Sequence, residues 1–362
     1  NSGSITLGDA DLRAVNEVTN ASGVNVTLRA GDSITSSTAD GGPTTFANIF
    51  LLDGTLSLTS QTGDILLHDL EFRNTRSSSS SDFLVDTGRD LALGGRFAFS
   101  DLFSVQAPGS ITLDDLILDV ANGDISITAG DFVSVQRSGI NSNLGIGQTG
   151  GVSIDSGSPV DLTGTSIKVN SMTTTPLTIQ AQGDIDLDGA DIDIGYRANS
   201  TADATASIIS NSGSINLGDA DLRAVNEVTN ASGVNLTIQA SGDILGASSD
   251  GDPTTFANVW RLGGDIDLIS QTGDILLADL DLEVRNSNDI HNIVLNAAGD
   301  IVVAGELFNY GSVTFDGNHS VVLDSLTAEL RDGGDFVVLS DGNVSISGSQ
   351  INPTAGSSQT GG

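Results

Sequence analysis

The chain has 362 residues, of which 47 are Asp or Glu and only 13 are Lys or Arg, for a formal net charge of -34. That balance excludes a nucleic-acid binder, because phosphate neutralisation needs clustered Lys and Arg, and it opposes docking on anionic lipid. The absence of cysteine removes disulfides, thiol nucleophiles and Cys-ligated metals, and no apolar run reaches the roughly 18 residues of a membrane span. The chain starts at Asn1 with neither an initiator Met nor a signal peptide, and reads as a piece of a longer protein.

In chain order, the first element is Gly3–Leu7 (GSITL), a turn glycine followed by alternating apolar residues. Period-2 alternation marks a half-buried strand. The same G-[DS]-I-x-L pattern returns at Gly63–Leu67, Gly109–Leu113, Gly123–Ile127, Gly183–Leu187, Gly213–Leu217, Gly264–Leu268, Gly273–Leu277 and Gly299–Val303. Nothing sustains a 3.6-residue period. Ala10–Val18 (ADLRAVNEV) comes nearest, and it reads equally well as two short strands around a corner. Pro43–Phe50 is a loop bearing Phe46 and Phe50, and the serine run Ser77–Ser81 is expected to be an exposed loop. Asp114-Asp115 is the one adjacent acidic pair. No Arg or Lys lies within ten residues of it, so it reads as a turn.

Gly183–Gly195 (GDIDLDGADIDIG) is the sharpest local feature. Asp184, Asp186, Asp191 and Asp193 alternate with Ile185, Leu187, Ile192 and Ile194, so the carboxylates are expected to point outward and the aliphatics inward. Stacked carboxylates repel. An all-oxygen set of this kind suits Ca²⁺, and the plainer reading is a solvated acidic face that requires no cofactor.

At residue 211 the sequence starts again. Residues 211–235 repeat residues 1–25 with one change, Thr6 to Asn216. The offset of 210 holds through Pro253–Trp260, where Phe256 and Trp260 take the places of Phe46 and Phe50, and through Ser270–Leu280. Residues 1–210 are therefore one module and residues 211–362 most of a second, expected to join as one continuous solenoid. Short strands in units near 20 residues, inside a module without internal caps, favour a parallel β-helix: a rod of stacked coils about 4.8 Å apart, with a dry aliphatic interior.

Glycine-led GSITL and GDIDL strands, absence of cysteine and a tandem array together resemble the repeat region of filamentous haemagglutinin-like adhesins. These are large exoproteins exported by two-partner secretion, or related autotransporter passengers, of Gram-negative bacteria. The resemblance implies an all-β, right-handed parallel β-helix and a non-enzymatic, structural and adhesive function. It also implies a place on the cell surface or in the biofilm matrix, reached through an outer-membrane transporter. The implied partners are exopolysaccharide, other cells or host surface glycans, with no nucleic acid and no membrane insertion. The family's NPNL- and NPNG-type secretion motifs are not found in these residues.

Phe46, Phe50, Phe256 and Trp260 are the candidate ligand-binding residues, because exposed aromatic rings stack on sugar rings; the alternative is a loop that covers an open patch of core. Tyr196 and Tyr310 are the other aromatics with a polar edge. Two further functions stay open: a polysaccharide-degrading enzyme on a pectin-lyase-like β-helix, and a Ca²⁺-dependent secreted module. An enzyme would need an acid cluster beside Arg or Lys, and the linear sequence shows none, nor a GHG or RIK signature. His68, His291 and His319 are far apart and are each expected at the surface.

Overall fold

A computed structural model describes residues 2–8, 10–13, 24–36, 45–48, 54–74, 81–121, 123–142, 150–171, 174–196, 204–225, 233–246, 254–258, 264–284, 291–331 and 333–354. The described residues are all-β, and no helix among them is long and apolar enough to cross a membrane. They form two compact units, one of residues 1–161 and 165–171 and the other of residues 162–164 and 172–362. The sequence repeat restarts inside the second unit, where Ala204–Ser210 pairs in parallel with Val234–Ala240 across the boundary.

In the first unit one sheet stacks Val26–Ala30, Gly54–Ser60, Ser81–Asp86, Phe103–Ala107, Ile125–Ala129 and Val152–Ser156, each parallel to the next. A second sheet is built around Ile65–Asn74, Leu91–Phe99 and Ile111–Val120, which bend midway. On either side each long strand gives way to two shorter ones, Ile34–Thr35 with Thr45–Asn48, and Val133–Gln136 with Gly139–Ser142. The second unit repeats the plan. Leu177–Ala181, Ala204–Ser210, Val234–Ala240, Ile266–Ser270, Ile293–Ala297, Val313–Gly317 and Phe336–Ser340 form one sheet. Its long bent strands are Ile275–Val284, Asp300–Asn309 and Ser320–Arg331. Each unit is a parallel β-helix.

Most coils are longer than the roughly 20 residues read from the sequence. Register partners in the first unit are 30, 27, 20 and 22 residues apart, from Val26 to Leu56, Phe83, Phe103 and Ile125. Those in the second are 30, 27, 20 and 23 apart, from Leu236 to Ile266, Ile293, Val313 and Phe336. Register partners stay aligned while coil length changes. In Ala10–Val18 the described residues, 10–13, hold the strand Asp11–Arg13, and its counterpart is Asp221–Val225. Ser77–Ser80 lie outside the described residues. Ser81, expected in an exposed loop, is instead buried at the start of a strand, because its hydroxyl donates to the Ser100 carbonyl at 2.9 Å.

Alternation places one aliphatic column inside each strand. Ile125, Ile127, Ile154, Ile179, Ile208 and Ile238 are buried, each contributing about 1.5–3 kcal/mol relative to exposure. The neighbouring coil supplies that burial. Val344 and Ile346 stand in register with the fully buried Val321 and Leu323, yet in the last described coil they remain 50% exposed. The scarce aromatics are concentrated rather than spread. Phe83 lies 5.0 Å from Phe97, 5.4 Å from Phe103 and 5.8 Å from Phe72, ring centre to ring centre, with Phe99 closing the group.

Five of the six long strands bend at a left-handed residue. Asp69, Asp115 and Ser325 supply it, with φ of 57°, 50° and 57°, and Gly95 and Gly305 do so in the intervening coils, at 112° and 121°. A methyl group on Gly305 would land on the Leu280 carbonyl oxygen.

Two stability outcomes follow. Phe83→Ala empties the centre of the aromatic group and is expected to cost about 3–5 kcal/mol, read by urea denaturation of the full chain. Gly305→Ala is expected to cost about 1–3 kcal/mol through strain at positive φ, whereas Gly139→Ala, with nothing in reach of the added methyl, serves as the near-neutral control.

Candidate functional site

The Asp or Ser of the G-[DS]-I-x-L pattern has a definite task. Its side chain accepts the backbone N–H of the matching residue one coil on. In the second unit Ser214 N–H donates to Asp184 Oδ1 at 2.8 Å, Asp243 N–H to Ser214 Oγ at 3.0 Å, Asp274 N–H to Asp243 Oδ1 at 2.8 Å and Asp300 N–H to Asp274 Oδ1 at 2.7 Å. The column ends with Ser320 Oγ donating to Asp300 Oδ1 at 2.8 Å. In the first unit Asp90 N–H donates to Asp64 Oδ1 at 3.2 Å and Ser110 N–H to Asp90 Oδ1 at 2.8 Å. A second column uses Asn and Asp at the start of the other sheet: Thr55 N–H to Asn25 Oδ1, Asp265 N–H to Asn235 Oδ1, and Asn292 N–H to Asp265 Oδ1, at 2.8–2.9 Å. These bonds satisfy strand-leading N–H groups at the turns.

The four aspartates singled out as Ca²⁺ ligands are engaged in three different ways. Ile185, Leu187, Ile192 and Ile194 are buried between them, as the alternation requires. Asp184 belongs to the first column. Asp186 Oδ1 accepts Asn216 Nδ2 at 2.9 Å and Asp188 N–H at 3.2 Å. Asp191 and Asp193 both bind Arg223, whose Nε donates to Asp193 Oδ1 at 2.7 Å and whose Nη2 donates to Asp191. Burial opposes the Arg223 charge, but the Asp193 hydrogen bond and the surrounding carboxylates outweigh it and hold the guanidinium further protonated. Among the described residues no group of three or more His, Cys, Asp or Glu is arranged to hold a metal ion.

Of the aromatic candidates, Phe50 and Trp260 lie outside the described residues. Phe46 and Phe256 are described as backbone only, in Thr45–Asn48 and Thr254–Asn258. Phe46 is in register with Leu12 and Phe72, and Phe256 with Leu222 and Leu282. Phe72, Leu222 and Leu282 are core residues.

The fold brings together what linear distance separates. Arg137, 22 and 23 residues beyond the acidic pair, lies against both members. Its Nη2 donates to Asp114 Oδ2 at 2.5 Å and its Nε to Asp115 Oδ1 at 3.0 Å. Arg137 occupies a left-handed position, φ 48°, where the second module has Gly348 at 63°. The Arg137 hydrogen bond holds the Asp115 carboxyl below its usual range, and the two carboxylates raise Arg137 in turn. A general acid needs the reverse shift. Asp114-Asp115, read as a turn, instead sits at the bend within the strand Ile111–Val120, and its basic neighbour was hidden because it comes from the next coil.

His68 and His319 are exposed, as expected. His291 is not; it is 2% exposed. Its Nδ1 accepts the Gly264 N–H at 2.9 Å, its backbone N–H donates to the Tyr310 carbonyl at 3.1 Å and its backbone carbonyl accepts Asn309 Nδ2 at 3.0 Å. It stands where the first module has the buried Ser81, and the imidazole takes up a structural role that isolation in sequence did not disclose.

A further aromatic group lies on the outer face. The rings of Phe308 and Tyr310 meet edge to face at 5.4 Å, and the Arg331 guanidinium sits 4.8 Å from the Phe308 ring centre and 5.9 Å from that of Tyr310. Arg331 Nη1 donates to Tyr310 Oη at 3.3 Å, while its Nε and Nη2 donate to Glu329 Oε1 at 3.0 and 2.8 Å. Tyr310 was visible in the sequence only as an isolated aromatic.

Comparison with protein-family models, with curated proteins and with solved structures finds no match to this chain.

Two outcomes test the electrostatics. Asp274→Ala is expected to lose about 1 kcal/mol and Asp274→Ser much less, since serine serves in the same column; denaturant melts separate them. Burial, and then the Asp265 carboxylate, raise the pKa of Asp267 above the ordinary 3.8. The native chain therefore holds that proton more tightly than the unfolded chain. Its contribution is full below about pH 3.8 and is lost as pH rises through the folded value. Asp267→Asn is thus expected to raise Tm at pH 7 and to leave it nearly unchanged at pH 3.

Proposed function

We propose that this chain is a structural and adhesive segment of a large secreted bacterial surface protein of the filamentous haemagglutinin-like kind. It would be exported through an outer-membrane transporter and mediate attachment to matrix polysaccharide, other cells or host surface glycans. One observation carries the reading. The polar residues of the repeated motif are spent on joining one coil to the next, as in the Asp184–Ser214–Asp243–Asp274–Asp300 column. Residues invested in propagating a scaffold suit a spacer that presents a surface. The remaining outward carboxylates keep such a surface hydrated, and Ca²⁺ would act by neutralising them.

The enzymatic alternative is less well supported. Arg137 draws Asp114 and Asp115 into an acid–base neighbourhood, but Asp115 is held ionised beside it, and glycoside cleavage also calls for a carboxylic acid that keeps its proton.

The test is binding of the chain to a panel of bacterial exopolysaccharides and host glycans, with Ca²⁺ and with chelator. Saturable binding without loss of polymer length is expected. Depolymerisation of any panel member would replace the adhesive reading with the enzymatic one. A Tm that climbs steeply with Ca²⁺ would mark a Ca²⁺-dependent module.

A further inference from the structure

We propose that the outer face around Phe308 and Tyr310 is a platform for a neutral hexopyranose polymer. The inference rests on the adhesive reading above and gives it a site and a ligand class. Along the outward column of the second unit, Phe308 is in register with Glu283 on one side and Glu329 on the other, and Glu329 with Asn352. Tyr310 and Arg331 flank that column.

The chemistry of the group matches a sugar ring. A pyranose has a face of C–H groups that packs on an aromatic ring and a rim of hydroxyls that both donate and accept. Phe308 and Tyr310, half-buried, supply the aromatic surface that Arg331 leaves uncovered, Glu329 and Asn352 supply acceptors, and Arg331 and Asn352 supply donors. The coil spacing of about 4.8 Å sets these groups out along a line that an extended polymer can follow. Arg331 is fixed by two bonds to Glu329 and one to Tyr310, so little side-chain freedom remains to be lost on binding. Arg331 and Glu329 remain 45% and 40% exposed.

Charge selects among sugars. Arg331 and Glu329 cancel locally, while the chain as a whole carries -34. A uronate- or phosphate-bearing polymer is repelled by that field, and a polycation would be drawn to every acidic face without need of aromatic rings.

The group is an addition to the repeat, which folds without it. At the same places the first module has Ala98 for Phe308, Ser100 for Tyr310, Asp119 for Glu329 and Ala121 for Arg331, with Ala98 and Asp119 in the same register. The coil therefore closes with small side chains at these positions, and the bulky aromatic–guanidinium set is not a requirement of the scaffold.

The experiment uses the full chain and calorimetric titration with a neutral glucan, mannan and galactan, a uronate polymer and a glucosamine polymer. Thermal unfolding of each variant is measured in parallel. Saturable binding of a neutral polymer is expected, weakened about tenfold or more in the Phe308→Ala/Tyr310→Ala double variant. Arg331→Lys keeps the charge but loses the planar fork; it is expected to bind several-fold more weakly with an unchanged Tm, which keeps the test valid should the double variant fold poorly. Undiminished binding in both variants overturns this site and leaves the adhesive reading standing. Binding confined to the charged polymers overturns the ligand class and also leaves that reading standing. Failure of every polymer to bind removes both.

Discussion

Parallel, in-register pairing of one coil on the next is the interaction on which everything else in this protein depends. No coil can satisfy itself. The N–H and C=O groups of a strand such as Ile125–Ala129 find partners only in Phe103–Ala107 and Val152–Ser156, and the side chains between them are dried by the same neighbours. Val344 and Ile346 show the rule from the other side, since they hold inward register positions and are still half exposed. Stability in such an object is a sum of neighbour terms, and the register that maximises those terms also fixes which outward side chains stand together.

That dependence explains the glycines and acids of the motif. Turns between strands leave N–H groups that no strand partner reaches, and a short acceptor one coil away reaches them. Asp, Ser and Asn have the right length, which is why the chain is rich in all three and carries few Glu. Ion pairs are built by the same stacking: Arg137 reaches Asp114 and Asp115, and Arg223 reaches Asp191 and Asp193, each from a neighbouring coil. The aromatic–guanidinium group likewise joins Phe308 and Tyr310, at and just beyond the end of one long strand, to Arg331 at the end of the next.

Strand positions and faces were legible in the sequence, because alternation with period 2 is a local property. Ile185, Leu187, Ile192 and Ile194 turn inward where the pattern put them. What stands beside what was not legible. Coils of 30, 27, 20 and 22 residues have no single period, so Arg137 could not be assigned to an acidic pair more than twenty residues earlier, nor Arg331 to Phe308. The burial of His291 was hidden for a related reason: it is set by Gly264 and Asn309 on adjacent coils. The repeat itself carries one clue, since His291 replaces the buried Ser81. For Phe308 and Arg331 the repeat offers Ala98 and Ala121, a contrast that only the shared outer face makes meaningful.

The interchange of Asp and Ser within one hydrogen-bonded column has a wider consequence. An ionised acceptor and a neutral one fill the same geometric place, as Asp184, Ser214 and Asp243 do in succession. Surface charge is thereby uncoupled from architecture. A lineage carrying this scaffold can move its electrostatic potential by many units, one column position at a time, with little penalty in folding. The acidity at these column positions is then an adjustable coat over a frame that either kind of acceptor completes.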